Sequence, residues 1–189
     1  MDYHLARWRT EHVNFNRMLT LVDNEIDTFR RGERPDYELM FDVLHYMTNG
    51  PDQTHHPFED RACERLVERK PETSAAVQAL AEEHRHIAEA GARLVENLGA
   101  AVDGAVLPRS AIEGDAADYA TYLRNHMHQE EEGIFPLLDR SLEQEDWAWV
   151  DRDVVQTEDP LFGDTVSQRY KTLQRRIAEQ SGCDCDIED

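Results

Sequence analysis

The sequence predicts an all-α fold: an antiparallel up-and-down four-helix bundle with a short helical C-terminal extension. Three observations favour this fold. Apolar residues recur in alternating steps of three and four, as they do along one face of a helix. Stretches that contain Gly or Pro separate the periodic segments, and no strand-like alternation of useful length occurs. Because the connections are short, consecutive helices are expected to run antiparallel.

The first two periodic regions predict two bundle helices. The first ends at Arg31-Gly32, with Pro35 close behind. Its stripe comprises Leu5, Trp8, His12, Phe15, Leu19, Val22, Ile26 and Phe29. The second begins near Asp36, is interrupted at 49–52 and closes at Lys70-Pro71. Its stripe comprises Met40, Leu44, Met47, His55, Glu59, Ala62 and Leu66.

Two further regions complete the predicted bundle. The third stripe comprises Val77, Leu80, His84, Ile87, Gly91, Leu94 and Leu98. Ser110, with Glu113 three residues later, matches a capping box at the start of the fourth helix. The fourth stripe comprises Ile112, Ala116, Tyr119, Leu123, His126, Glu130, Gly133 and Leu137. We expect residues 1–142 to form the bundle, and 143–189 to form a C-terminal helical extension and acidic tail packed on it.

Composition limits the classes of partner. The chain has 189 residues, 40% of them hydrophobic, which suits one domain with a sizeable core. It carries 20 Lys and Arg against 40 Asp and Glu, a formal net charge of −20. Nucleic acid and anionic membrane surfaces are recognised by clustered basic residues, so we expect neither as a partner. The sequence identifies no protein partner.

Hydropathy, the N-terminal sequence and the number of cysteines together predict the cellular compartment. No apolar run approaches the roughly 20 residues of a membrane span, and the first residues do not resemble a signal peptide. The three cysteines, Cys63, Cys183 and Cys185, are an odd number, which argues against a disulfide scaffold. We therefore expect a cytoplasmic protein. Whether Cys183 and Cys185 in the acidic tail have a function stays open.

Each of the four stripes carries a histidine where a core hydrophobe would be expected. They are His12, His55, His84 and His126. In two helices a glutamate follows the histidine four residues later, one turn along the same face: Glu59 and Glu130. Burying these groups without a partner is costly, whereas together they form a shell of nitrogen and oxygen donors. The six residues therefore predict a dinuclear metal site.

The register in the second helix is ambiguous. His55 and Glu59 lie beside an adjacent stripe with the same steps, which contains His56 and Asp60. We prefer the first pair, since Glu59 and Glu130 then each stand seven residues before a leucine. His56 remains available as an additional ligand.

The other histidines and the neighbouring acids have weaker claims on a metal. His86 and His128 lie about 200° around the helix from the candidate ligands two residues before them, so we expect them to face solvent. His4 and His45 lie off the stripes. Glu131 and Glu132 are expected on a solvated face.

These motifs resemble the hemerythrin-like family, the His-His-Glu cation-binding domains, in its bacterial single-domain form. The resemblance covers about residues 3–140 and rests on four motifs. They are Glu11-His12, His55-His56-Pro57-Phe58-Glu59-Asp60, Glu83-His84, and the segment 126–136. It implies two non-haem iron ions joined by carboxylates and an oxygen-derived bridge, with His12, His55, Glu59, His84, His126 and Glu130 as ligands. Zinc is the alternative metal, because it also binds His and Glu.

One departure from the family bears on function. Oxygen-carrying hemerythrins have a second third-helix histidine one turn after the first, and here that position is Ala88. Their fourth-helix acid is an Asp at +5, whereas this chain has a Glu at +4 from His126. The resemblance therefore implies a more open or hydrated site on one iron. Such a site favours reactivity with nitric oxide, peroxide or oxygen, or a role in sensing, iron handling or stress defence, over reversible oxygen carriage.

Three functions are compatible with these residues. The first is a di-iron protein that binds or responds to oxygen, nitric oxide or redox state, in sensing, stress defence or iron handling. The second is a di-iron enzyme that reduces peroxide or nitric oxide. The third is a metal-stabilised interaction module. The sequence leaves open whether the protein is an enzyme.

Overall fold

The computed structural model describes residues 2–153, 159–163 and 165–180, and within these ranges the chain is all-helical with no strand. This confirms the predicted class. The helices are α1 Tyr3–Arg30, α2 Tyr37–Asn49, α3 Pro51–Arg69, α4 Ser74–Val102, α5 Glu113–Gln129, α6 Phe135–Ser141, α7 Gln144–Val150 and α8 Lys171–Gln180. None of them is long and apolar enough to cross a lipid bilayer. The acidic tail with Cys183 and Cys185 lies outside the described residues.

The second predicted helical region consists of two helices that meet at Gly50. Pro51 occupies the first turn of α3, where its missing N–H breaks no intrahelical hydrogen bond. The Gly50 N–H donates to the Tyr46 carbonyl and closes α2. A side chain at position 50 would place its Cβ 3.1 Å from that carbonyl oxygen, so glycine suits this close approach. The break therefore lies within the predicted interruption at 49–52.

The predicted cap of the fourth bundle helix is wrong. Ser110 lies inside a short 3-10 turn, Arg109–Ala111, and α5 begins after Ile112 without a side-chain cap. Acidic residues in the first turn, Glu113 and Asp115, instead face the positive end of the helix dipole.

A π-helical turn, Glu130–Ile134, separates α5 from α6. The wider turn accommodates one additional residue, so the buried face moves on by one position. Gly133 is exposed and Leu137 half-buried, contrary to the predicted stripe, whereas Ile134 and Leu138 are buried. The stripe prediction assumed an uninterrupted α-helix and therefore loses its register after Glu130.

The long helices pack through two apolar clusters with a polar layer between them. α1 contacts α2 and α5, and α4 contacts α2, α3 and α5. One cluster includes Phe15, Leu44, Ile87 and Leu123. The other includes Trp8, Phe58, Leu80 and Ile134. In each of the four bundle segments, the candidate histidine stands in the sequence between a residue of one cluster and a residue of the other.

The C-terminal helices cover different parts of the long helices. α7 packs on α3, and its Trp147 ring stacks on His4 at 5.0 Å between centroids. α8 contacts α1 and α2. Leu161, Tyr170 and Leu173 are buried in the same cluster as Phe15.

Asp146 fixes the start of α7, so Asp146→Ala should destabilise the protein. Its carboxylate is fully buried, accepts a hydrogen bond from the Glu143 backbone N–H at 2.9 Å, and contacts Arg65 at 2.7 Å and Arg69 at 2.9 Å. We expect a loss of about 1–2 kcal/mol of unfolding free energy, the usual size for a lost cap. Thermal unfolding measures it. The exposed neighbour supplies a control, Glu145→Ala, and equal losses in both variants would contradict the role of Asp146.

Candidate metal centre

The structure brings all six predicted site residues together in the polar layer. α1 contributes one of them, α3 two, α4 one, and the segment from α5 into the π turn two. Each is 5% exposed or less. They are His12, His55, Glu59, His84, His126 and Glu130. Side chains separated by up to 118 positions in the sequence thus share one buried site.

A first group of donors is formed by His12, His55 and Glu59, whose ligand atoms all lie within 4.8 Å of one another. His12 Nε2 is 3.1 Å from His55 Nε2, and His55 Nε2 is 3.1 Å from Glu59 Oε1. Two imidazole nitrogens and a carboxylate oxygen therefore converge on one point, as the donors of a single ion do.

A second group is formed by His56, His84 and His126. His56 was not among the six predicted residues. Its ring is 5% exposed and stacks on the His84 ring at 4.4 Å between centroids. In the sequence, His56 was indicated only by the second stripe on this helix, which it shares with Asp60. Two adjacent stripes of one helix can both face the polar layer, so residues of both can contribute donors. The structure therefore places both histidines of the His55-His56 pair in the site.

Asp60, the acid of that alternative stripe, does not join the central donors. Its side chain is 40% exposed and contacts the outward Nδ1 of His84 at 2.8 Å. Glu59, in contrast, is 1% exposed. Glu59, the acid of the preferred stripe, therefore lies among the central donors. Asp60 instead contacts the nitrogen of His84 that faces away from them.

Each central glutamate divides its two oxygens between the two groups. Glu59 Oε1 lies 3.1 Å from His55 Nε2, and its Oε2 lies 3.8 Å from His84 Nε2. Glu130 Oε2 lies 3.4 Å from His12 Nε2, and its Oε1 lies 3.2 Å from His84 Nε2. This is the arrangement that two bridging carboxylates would need.

Several central atoms lack hydrogen-bond partners among the described residues. Both oxygens of Glu59, Oε2 of Glu130 and Nε2 of His126 are buried and make no hydrogen bond, although an atom of opposite charge type lies 3.1–3.8 Å from each. A buried carboxylate oxygen without a hydrogen bond is costly, so such atoms call for an explanation such as a bound ion. The donor types fit one, since imidazole and carboxylate together suit iron and zinc.

A carboxylate holds the outward nitrogen, Nδ1, of every histidine in the two groups. The contacts are His12 with Glu131 at 2.8 Å, His55 with Glu11 at 2.5 Å, His56 with Asp52 at 3.2 Å, His84 with Asp60 at 2.8 Å, and His126 with Glu83 at 2.8 Å. When Nδ1 donates to a carboxylate, Nε2 keeps its lone pair for a metal. The outer carboxylates therefore orient the whole set of rings.

Sequence reasoning missed these outer partners. Glu131 was expected on a solvated face, but its side chain is 37% exposed and contacts His12. Most of the five stand next to a central residue in the sequence, as Glu11 precedes His12 and Glu83 precedes His84. However, Glu11 contacts His55 and Glu83 contacts His126, each on another helix. Their position next to a candidate ligand could have indicated these acids, but it does not show which histidine each acid contacts.

The remaining histidines lie outside the centre. His86 and His128 are exposed, which confirms their predicted placement. His4 is buried, but it packs against Trp147, which belongs to the apolar cluster that contains Trp8. The His45 ring is 3.0 Å from the Tyr170 hydroxyl. Ala88 is half-buried.

The carboxylates beside His55 and His84 raise the pKa of both imidazoles and so favour their protonated forms when no metal is bound. Burial lowers the pKa of His55, but the carboxylates of Glu59 and Glu11 outweigh burial and raise that pKa to about 10. Burial likewise lowers the pKa of His84, and its hydrogen bonds to carboxylates raise it to about 10. Burial, and then the charge of Glu130, raise the pKa of Glu59 above its ordinary value.

Metal binding should therefore release protons. A ligating Nε2 must give up its proton, so His55 and His84 together should release about two protons per chain near pH 7, and Glu59, whose pKa is also raised, should add to that number. Because protons compete with the metal, affinity should rise as pH increases from about 7 towards about 10. Calorimetry in buffers of different ionisation enthalpy counts the protons. Binding without proton release would contradict protonated histidines in the metal-free site.

Comparison with known proteins assigns the chain to a family. Searches of curated proteins and of solved structures found no match to this chain. A family model, the hemerythrin HHE cation-binding domain, matches residues 4–138. This range contains both donor groups and all five outer carboxylates. The chain belongs to the hemerythrin HHE cation-binding domain family.

Proposed function

We propose that this protein binds two iron ions in the polar layer and that it binds or responds to oxygen, nitric oxide or redox state. The observation that carries the proposal is the division of Glu59 and Glu130 between two histidine groups, with one oxygen of each acid near each group. Such a carboxylate pair serves two cations better than one. Iron at such a site supplies one-electron chemistry and coordination of small molecules.

The chain's own residues would divide unequally between the two ions. His12 and His55 would hold the first ion, and His56, His84 and His126 the second, with both glutamates shared. The first ion would then have one protein donor fewer than the second. That difference supports a small ligand on the first ion.

Metal analysis of the purified protein tests the proposal. We expect about two irons per chain after loading under anaerobic conditions. One zinc per chain, with iron unable to displace it, would contradict a di-iron site and favour a metal-stabilised interaction module. The outer-face variants His86→Ala and His128→Ala serve as controls, since both residues are exposed and should leave the metal content unchanged.

An optical titration tests the ligand. The reduced, iron-loaded protein should change its spectrum when oxygen or nitric oxide is added anaerobically in defined amounts. A fully loaded protein whose spectrum stays constant would rule out binding of that molecule at the iron site. Turnover of peroxide above the rate of free iron would favour the enzymatic alternative.

We also propose that the long helices form the antiparallel four-helix bundle. The order of the two apolar clusters along the chain supports it. On α1 the cluster that contains Trp8 comes before the cluster that contains Phe15. Across α2 and α3 the order is reversed, from Leu44 in the Phe15 cluster to Phe58 in the Trp8 cluster. α4 has the same order as α1, and the segment from α5 into α6 has the reversed order. Residues 1–142 would then be the bundle, and 143–189 the C-terminal extension and acidic tail packed on it.

A further inference from the structure

A cavity of about 270 Å³ lies against the back of the first donor group. It is bounded by α1, by the junction of α2 with α3, and by the segment at 159–160. Residues that line it include Arg7, Phe15, Tyr46, Asn49, Thr54 and His55. His55 thus borders this cavity as well as the donor group.

Phe15 lines the cavity beside His55, on the side that faces the first donor group. Its ring is 3% exposed, meets the His55 ring edge-on at 5.1 Å between centroids, and lies 6.1 Å from the His12 ring. Both of these histidines belong to the group with fewer donors. A molecule in the cavity would therefore be one aromatic side chain away from the ion that has room for it. Passage from the cavity to this ion would require the buried Phe15 ring to rotate.

The charges around the cavity select against anions. The Arg7 guanidinium is engaged by Glu11 at 2.7 Å, and Glu11 also contacts His55. Asp159, a second carboxylate of the lining, accepts a hydrogen bond from the Tyr46 hydroxyl at 2.8 Å. When His55 holds the ion, the lining has two carboxylates against one cation that already has a partner, in a chain of net charge −20. An uncharged molecule meets no such repulsion.

We propose that this cavity is the site where a small uncharged ligand collects, and that Phe15 is the gate through which it reaches the first ion. The proposal rests on the function proposed above, and it adds the route by which the ligand reaches the ion. Asp159 and Pro160 line the cavity as well, and the hydrogen bond from the Tyr46 hydroxyl to Asp159 joins this segment to α2.

The cavity can be tested in the metal-free protein. Dissolved oxygen is a small, uncharged, paramagnetic probe, so it speeds the relaxation of NMR signals where it collects. The Thr54 methyl should relax faster under oxygen than the Thr28 methyl, which is on the same protein, equally half-buried and outside the cavity. Equal relaxation of the two methyls would overturn the collecting site, whether or not the protein binds iron.

The gate can be tested in the iron-loaded protein by stopped-flow binding of nitric oxide. Phe15→Ala should speed association at least tenfold while the iron content stays at the wild-type value. Phe29→Ala is the matched control, because Phe29 lies on α1 in contact with the same apolar cluster but far from the cavity. Unchanged association in Phe15→Ala, with both irons present, would overturn the gate and leave the di-iron proposal intact.

Two further measurements complete the test. If Phe15→Ala fails to fold or to hold iron, Thr54→Trp should fill the cavity and slow nitric oxide association tenfold or more; a wild-type rate would overturn the route. Azide, a small anion, should bind the oxidised protein faster as salt screens the carboxylates, whereas nitric oxide binding should not depend on salt. Azide association that slows with added salt would overturn the preference for uncharged ligands.

Discussion

Replacing Glu59 by alanine should remove both metal ions from the protein. Its two oxygens face different histidine groups, so the variant takes one donor from each ion and leaves five buried histidines with a single central carboxylate. Loss of an outer partner typically costs 10–100-fold in metal affinity. Loss of a shared central donor should cost more than about 100-fold. Metal analysis after dialysis against a weak chelator measures the result.

The chain offers graded controls for this experiment. Asp60→Ala removes only the outer partner of His84 and should cost about 10–100-fold in affinity. Glu132→Ala removes an exposed acid from the same run as Glu130 and should have no effect. If Asp60→Ala empties the site and Glu59→Ala keeps both ions, then Asp60 provides the central carboxylate and the assignment is wrong.

Loading the metal-free protein with iron should raise its melting temperature by roughly 5–10 °C for each ion that binds. One ion that binds only the folded state stabilises it by about 2.7 kcal/mol at a free concentration of 100 times its dissociation constant. For a chain of this size, 1 kcal/mol corresponds to about 2–4 °C. The structural reason is that buried atoms of Glu59, Glu130 and His126 make no hydrogen bond, and a bound ion would supply the missing interaction.

The stabilisation should also follow mass action. Raising the free metal concentration to about 1,000 times the dissociation constant should increase the stabilisation to about 4.1 kcal/mol for each ion. Differential scanning calorimetry at several metal concentrations measures this dependence. Glu130→Gln keeps the shape of the side chain but lacks its charge, so the same additions should shift its melting temperature much less. An equal shift in this variant would mean that the metal binds elsewhere.

Much of the fold followed from the spacing of apolar residues. The all-helical class, the end of α1 at Arg31-Gly32 and the break near Gly50 were predicted, because each depends on residues close together in the sequence. The predictions failed at Ser110, where a 3-10 turn replaced a cap, and after Glu130, where the π turn shifted the buried face. Both failures involve a local departure from α-helical geometry that residue periodicity does not encode.

The sequence by itself determined which residues could occupy the polar layer. Histidines and glutamates at seam positions must be buried once the helix forms, because the 3.6-residue repeat places them on the apolar face. For the same reason His12, His55, Glu59, His84, His126 and Glu130 could be named before their partners were known.

Only the tertiary structure decided how those residues meet. It added His56 to the second group, divided each glutamate between two groups, and paired Glu11 with His55 on another helix. These contacts depend on the rotation and height of each helix relative to its neighbours. Packing across the whole core sets those two quantities, and the pattern along a single helix does not contain them.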